Sequence, residues 1–101
     1  MVPRLLFALL SHAQISMTCK IEKDFDGHRT IIRLSGRLTS ENLDELKVQV
    51  TGDPTRIGLD LDEVTLVDVE VVRFLNGCER NGMELCNCRP YIREWMEREK
   101  Q

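Results

Sequence analysis

The stretch from Ile57 to Asp68 reads IGLDLDEVTLVD, and it decides the fold of the chain. Its first apolar residues, Ile57, Leu59 and Leu61, alternate with small or acidic ones, which is the period of a half-buried strand. Residues 64–67 are predicted to form a short apolar link between this strand and the helix that follows. Asp68 offers a carboxylate that can accept hydrogen bonds from the free amides of a helix start. The stretch therefore predicts a strand, a link and the beginning of a helix.

The residues after Asp68 have helical spacing. The apolar side of this predicted helix consists of Val71, Leu75 and Cys78, with Val72 beside them. Asn81-Gly82 ends the helix, and residues 83–88 predict a short strand. Pro90 suits the first turn of a last helix, because its missing amide hydrogen is not needed there. The apolar side of that helix is predicted to be Tyr91, Ile92, Trp95 and Met96.

The region before Ile57 predicts a hairpin and a helix. Residues 17–22 alternate with period two, Asp26-Gly27 is a turn sequence, and residues 30–34 form a β-branched run that ends at Gly36. A helix then follows the capping residues Thr39 and Ser40. Its apolar positions are Leu43, Leu46 and Val50, and the helix is predicted to end at Gly52, Asp53 and Pro54.

The predicted element order is β-β-α-β-α-β-α, which indicates an α/β domain. Strand–helix–strand steps cross over right-handed and place their strands parallel, so a four-stranded mixed sheet with helices packed on it is expected. A length of 101 residues suits one domain, assigned to residues 17–101. Residues 1–16 have two readings: an extension from an upstream start codon, with Met17 as the true start, or a short amphipathic helix that docks elsewhere.

Composition and charge narrow the class of protein. Apolar residues make up 42% of the chain and charged residues 31%, which is typical of a folded soluble domain. The net charge of −3, with scattered Arg and Lys, argues against nucleic-acid binding. Residues 5–10 form the longest apolar run near the start, too short to span a membrane. The four cysteines match no disulfide framework, so reduced thiols in the cytoplasm are expected.

Two stretches resemble one family of protein-binding domains. Residues 31–38, IIRLSGRL, are similar to the opening hairpin of STAS domains, which reads as an apolar strand followed by Gly-x-Leu. Residues 57–68 resemble the central strand and loop of that family, where an apolar-Asp-Leu run, a Val and an apolar pair close on Asp. The helix, glycine and short strand that follow match in order. The resemblance covers Met17 to the C-terminus and implies a STAS-like fold.

The resemblance also implies a function in which the chain binds another protein. Many STAS domains are switched by phosphorylation of a Ser or Thr directly after the loop Asp, and the matching residue here is Val69, which has no hydroxyl. Glu70 supplies a fixed negative charge near the helix start. It is read either as a permanent substitute for the phosphate or as an ordinary solvated first-turn residue.

By this resemblance the chain is a non-enzymatic regulatory module like the anti-sigma factor antagonists, without a cofactor. The expected partner is an anti-sigma factor or similar kinase-like regulator. The exposed contact region is predicted to consist of Asp68, Val69, Glu70, Val72 and Arg73. In this prediction Asp68 caps the helix, the two valines give apolar contact, and the two charged residues select the partner.

Two alternatives use the same sequence differently. Small free-standing STAS proteins also serve as accessory subunits of membrane-transport ATPases, notably lipid transporters. A thiol- or metal-dependent protein is the other alternative, based on Cys78 and Cys86-Asn87-Cys88, although that spacing is poor for zinc. No nucleophile, base and orienting group stand out together, so an enzyme is not expected and no metal ligand is assigned.

Overall fold

The computed structural model describes residues 19–100, and its elements follow the predicted order. The strands are β1 Cys19–Phe25, β2 Thr30–Leu38, β3 Ile57–Val67 and β4 Glu84–Cys86. The α-helices are α1 Leu43–Gln49, α2 Val69–Arg80 and α3 Pro90–Glu99. Short 3-10 helices precede α1 and β3, at Ser40–Asn42 and Pro54–Arg56. The predictions made for residues 1–18 lie outside the described residues.

The sheet is mixed, with strand order β1-β2-β3-β4. β1 pairs with β2 in antiparallel fashion, while β2 with β3 and β3 with β4 are parallel pairs joined by α1 and α2. This arrangement confirms the α/β class and the mixed sheet expected from the sequence. No helix within residues 19–100 is both long enough and apolar enough to cross a membrane.

The β1–β2 hairpin is closed by the turn predicted at Asp26-Gly27. One carboxylate oxygen of Asp26 accepts hydrogen bonds from the backbone amides of His28 and Arg29, both at 2.9 Å. Gly27 has a φ of +95°, a conformation that a glycine adopts without a steric penalty. The turn sequence therefore sets the hairpin through local hydrogen bonds alone.

The predicted link at residues 64–67 is wrong, because these residues complete β3. Two irregularities in the pairing with β2 account for the error: Arg33 pairs with Asp60 but Ser35 pairs with Glu63, and a second shift follows. Each shift adds a residue to β3, as a β-bulge does, and breaks the period of two. The buried positions of β3 are Ile57, Gly58, Leu59, Leu61, Val64 and Val67.

β4 is shorter than the predicted strand over residues 83–88. Asn87 has a φ of +55°, in the left-handed region, and cannot continue a strand there. The side chain of Asn87 instead donates a hydrogen bond of 3.1 Å to Asp60 on the neighbouring strand. The Cys-x-Cys sequence therefore spans a strand end, so the strand periodicity expected for Cys86 and Cys88 does not apply.

The helices and one face of the sheet enclose a single apolar core. The strands contribute fully buried residues such as Ile32, Leu34 and Leu59, and the helices contribute Leu46 and Leu75. All of them belong to one contiguous cluster of buried side chains. Alternate residues of β2 lie on the other face, where Ile31, Arg33 and Ser35 are half-buried. The helices are thus packed on the sheet as expected.

The prediction for α3 is partly wrong. Ile92 and Met96 are completely buried and Trp95 is half-buried against the core, but Tyr91 is 44% exposed. Both Tyr91 and Ile92 lie in the first turn, so Tyr91 is exposed because it lies on the outer side of the helix, next to the buried position of Ile92. Further along, α2 and α3 are joined by Arg93, which donates to both oxygens of Glu79 at 2.8 and 3.0 Å.

The difference in burial between Tyr91 and Ile92 can be measured through the free energy of unfolding. We expect Ile92→Ala to lower the free energy of unfolding by about 2–5 kcal/mol, because it leaves a cavity in a closed core. Tyr91→Ala should change it by no more than about 0.5 kcal/mol, as at other surface positions. Urea denaturation of both variants and the parent gives the comparison. Equal losses from the two substitutions would contradict the placement of Tyr91.

Candidate functional site

The carboxyl ends of β2 and β3 lie side by side because the two strands are parallel, with Leu38 paired to Val67. The segment that follows β2 and the helix start that follows β3 therefore meet at the same edge of the sheet. In open α/β sheets, ligands commonly bind outside the carboxyl ends of the strands. The residues assembled there lie in, or directly after, residues 31–38 and 57–68 of the sequence.

Asp68 connects these two segments through its carboxylate. One oxygen accepts from the backbone amide of Val71 at 3.0 Å, which caps α2 as predicted. The other accepts from the backbone amide of Ser40 at 2.8 Å. Partial burial alone would raise the pKa of the Asp68 carboxyl, but the hydrogen bonds from Ser40 and Val71 outweigh it and leave the pKa below its usual range. Asp68 is therefore ionised at neutral pH and fixes both segments.

A shallow depression of about 380 Å³ lies beside this carboxylate. Its lining residues are Arg37, Thr39, Ser40, Glu41 and Asp68. The arrangement offers hydroxyls, one guanidinium and two carboxylates at an open surface, which suits hydrogen bonding to a protein partner. The sequence predicts Thr39 and Ser40 only as capping residues, and Arg37 is not predicted as part of a site. The parallel pairing of β2 and β3 is the available clue that these residues lie next to Asp68.

Four of the five predicted contact residues lie at or near the surface at the start of α2. Glu70 and Arg73 are exposed, and Asp68 and Val69 are half-buried. Val69 directly follows the cap, so its position depends on the hydrogen bonds that Asp68 makes. These four residues form one continuous surface, which we call the α2 start.

Val72 is not part of this surface, which corrects the prediction. Its side chain is completely buried, as is that of Val71. The buried side of α2 is wide because α2 packs against α3 as well as the sheet. One turn after Val72, the buried Asn76 donates a hydrogen bond of 3.0 Å to the backbone carbonyl of Met96 on α3. The sequence pattern places Val72 beside the apolar face without showing that the buried core extends to it.

Arg73 is not a free charge either. Its guanidinium forms ion pairs with Glu99 at 3.0 Å and with Glu70 at 3.5 Å. The three side chains therefore form a small network across the first turns of α2 and the end of α3. Such exposed pairs add little stability, but they hold Arg73 in one place and reduce its field at the surface. Glu70 is 57% exposed and stays open to solvent despite its pairing with Arg73.

The cysteines are poorly suited to a thiol-dependent role. Burial raises the pKa of the Cys19 and Cys78 thiols to about 11. Burial also raises the pKa of Cys86 and of Cys88. All four thiols are therefore mainly protonated at neutral pH, and the thiolate is the reactive form. Within residues 19–100 no three side chains of metal-binding type come together.

The role of Asp68 predicts an acid-dependent loss of stability. A carboxyl whose pKa is lowered by folding stabilises the protein above its unfolded pKa, near 3.9, and loses this effect as the pH falls through the folded value. We expect Asp68→Ala to cost about 1–2 kcal/mol at pH 7. Asp68→Asn should cost less, because its amide oxygen still accepts from Val71 although the bond from Ser40 is lost.

Denaturation of the parent and both variants at pH 7 and pH 3 measures these differences. The gap between the parent and Asp68→Ala should narrow at the lower pH, where the parent carboxyl begins to take up its proton. A gap that stays the same at both pH values would show that the charge of Asp68 does not contribute.

Comparison with solved structures finds a likeness in fold. A crystal structure described as an antisigma-factor antagonist, STAS domain from Rhodobacter sphaeroides, aligns with a TM-score of 0.55 at 13% sequence identity. The alignment covers 72% of this chain and 90% of that chain. No protein-family model and no curated protein matches the sequence. The chain therefore has a STAS-like α/β fold, a four-stranded mixed sheet with three helices.

Proposed function

We propose that this chain is a non-enzymatic regulatory module that acts by binding another protein. Its docking face consists of the α2 start, that is Asp68, Val69, Glu70 and Arg73, together with the neighbouring depression that contains Arg37 and Ser40. The proposal adds the depression to the contact region expected from the sequence and removes Val72 from it. In this proposal the module works in the cytoplasm, where no cofactor is required.

The observation that carries the proposal is the double hydrogen bonding of Asp68. Its bonds of 2.8 Å to Ser40 and 3.0 Å to Val71 hold two exposed segments in a fixed relation. A surface that is ordered before binding loses less conformational entropy when a partner docks. This favours recognition by a preformed face over folding of a loop around the partner.

The chemistry of the docking face favours a partner with a mixed surface. Val69 offers a small apolar contact, and Glu70 offers a carboxylate that is not buried by its pairing with Arg73. Arg37 provides a guanidinium on the other side of Asp68 and is exposed. A partner segment with an apolar side chain between a cation and an anion would satisfy all three groups.

An anti-sigma factor with a kinase-like fold is the partner class that we propose. The similar solved structure is described as an antisigma-factor antagonist, and the fold is shared at low sequence identity. Because Val69 has no hydroxyl, we propose that binding is not controlled by phosphorylation at this position. Glu70 then gives the face a constant negative charge near the N-terminus of α2, which the helix dipole stabilises.

Substitution of Val69 tests the docking face. We expect Val69→Arg to weaken binding to the partner at least about tenfold, which corresponds to about 1.4 kcal/mol, because a long charged side chain replaces an apolar contact. The free energy of unfolding should stay close to that of the parent, since Val69 is only half-buried. Calorimetric titration of the partner into each variant measures the effect.

Val48→Arg is the matched control, because Val48 is 65% exposed on α1 and lies outside the docking face. Affinity capture with the full chain from its native host identifies the partner to be titrated. An anti-sigma regulator that binds the parent and Val48→Arg but not Val69→Arg would support the proposal. Capture of a membrane-transport ATPase subunit would favour the accessory-subunit alternative, and equal binding to both variants would show that the docking face is wrong.

A further inference from the structure

A second depression lies at the opposite end of the sheet from the docking face. It has a volume of about 330 Å³ and lies where β1 ends and where β2 and β3 begin. Its lining includes the charged and aromatic side chains of Lys23, Phe25, Arg29, Asp53 and Arg56. The volume falls within the range of small-molecule sites in proteins. β3 is 11 residues long, so the two sites are separated by roughly 30 Å.

The cations of this depression are incompletely paired. Neither Lys23 nor Arg56 has an ion-pair partner among residues 19–100. Arg29 differs, because its guanidinium forms an ion pair with Glu84 at the start of β4. The positive charge available to a ligand therefore comes from Lys23 and Arg56.

The guanidinium of Arg56 is held at the rim by weak bonds. Its Nε and one Nη donate to the backbone carbonyl of His28 at 3.4 and 3.3 Å, near the long limit for such bonds. A guanidinium has five N–H groups, so several donors remain. Anionic oxygens form shorter and stronger bonds with a guanidinium than a carbonyl does. Arg56 is thus positioned to exchange or extend these bonds when an anion enters.

The neighbouring carboxylates are engaged in local turns. Asp53, which lines the depression, accepts from the backbone amide and the hydroxyl of Thr55 at 3.0 and 2.7 Å. Asp26 is occupied by the amides of the hairpin turn. The hydrogen bonds of Thr55 lower the pKa of Asp53, so its charge persists and opposes part of the cationic field. With Lys23 and Arg56 unpaired and Asp53 as the carboxylate in the lining, the depression keeps a net positive charge that suits one anionic group near Lys23 and Arg56.

An exposed aromatic ring completes the depression. Phe25 is 66% exposed at the last position of β1, the largest exposure among the large apolar side chains of residues 19–100. An exposed phenyl ring beside cations is a surface on which a planar ligand group can stack. The hydroxyl of Thr30 and the amide of Gln49 add neutral hydrogen-bonding groups.

We propose that this depression binds a small phosphate monoester that carries an aromatic group. Lys23 and Arg56 hold the phosphate oxygens, and Phe25 stacks on the aromatic part. Because the site lies at the far end of the sheet from the docking face, its occupancy does not require a bound protein partner. The proposal is therefore independent of the proposed docking function.

Titration of the full chain with phenyl phosphate and with inorganic phosphate tests the site. We expect phenyl phosphate to bind more tightly, and Arg56→Gln and Lys23→Gln each to weaken its binding about tenfold. Phe25→Leu should remove the advantage of phenyl phosphate over inorganic phosphate. Amide chemical shifts of Thr30 and Ile57 report binding at the depression itself.

Lys47→Gln provides the matched control, because Lys47 is exposed on α1 and lies outside the depression. The substitution removes one positive charge, as the substitutions at Lys23 and Arg56 do. Binding that survives this change but not the change at Arg56 would support the proposal. The proposal is overturned if neither phosphate binds at millimolar concentration, or if Lys47→Gln weakens binding as much as Arg56→Gln. Binding only to vesicles that contain phosphatidic acid, without binding of phenyl phosphate, would also overturn it.

Discussion

The parallel pairing of β2 with β3 is the constraint from which the rest of the structure follows. It runs from Thr30 opposite Ile57 to Leu38 opposite Val67 and forms the centre of the sheet. Because parallel neighbours need a crossover, the pairing requires α1 between the strands, and right-handedness fixes where that helix packs. It also brings the ends of both strands to one edge. The hairpin, the core and both sites are arranged around this pair.

Asp68 converts this arrangement into a defined surface. Without its carboxylate, the segment at Ser40 and the start of α2 would be neighbours in space but not connected. Its two hydrogen bonds make the helix cap and the link between segments parts of the same interaction. A residue that the sequence marks as an ordinary N-cap is therefore also the support for the surface that we propose to bind a partner.

The sequence is a good guide where local chemistry decides the structure. The hairpin turn at Asp26, the cap at Asp68 and the position of Pro90 in the first turn of α3 all follow from short-range hydrogen bonding or from proline geometry. The element order follows in turn, because periodicity and turn residues agree along most of the chain. The likeness to a STAS domain structure at 13% identity is consistent with a fold that depends on pattern more than on particular residues.

The sequence predictions fail where contacts between distant segments decide the outcome. Val72 is predicted at the surface because the helical spacing of α2 does not show that the core extends to it. Tyr91 is predicted in the core because the spacing of α3 does not show that the core stops short of it. The contribution of Ser40 to the docking face depends on the register of β2 and β3, which no local pattern determines. Similarly, Lys23 and Arg56 are 33 positions apart in the chain and share a depression only after the sheet has formed.

The two irregularities of β3 affect the orientation of the proposed docking face, because they lie just before it in the chain. Each extra residue rotates the rest of the strand relative to β2, so the direction in which the chain leaves the sheet at Val67 depends on how many such residues there are. Deleting one would remove the local bend and change the angle at which the start of α2 leaves the sheet, while Val64 and Val67 would still face the core. The number of residues in this part of β3 therefore sets the orientation of the proposed docking face relative to the sheet, which substitutions on the surface of α2 leave unchanged.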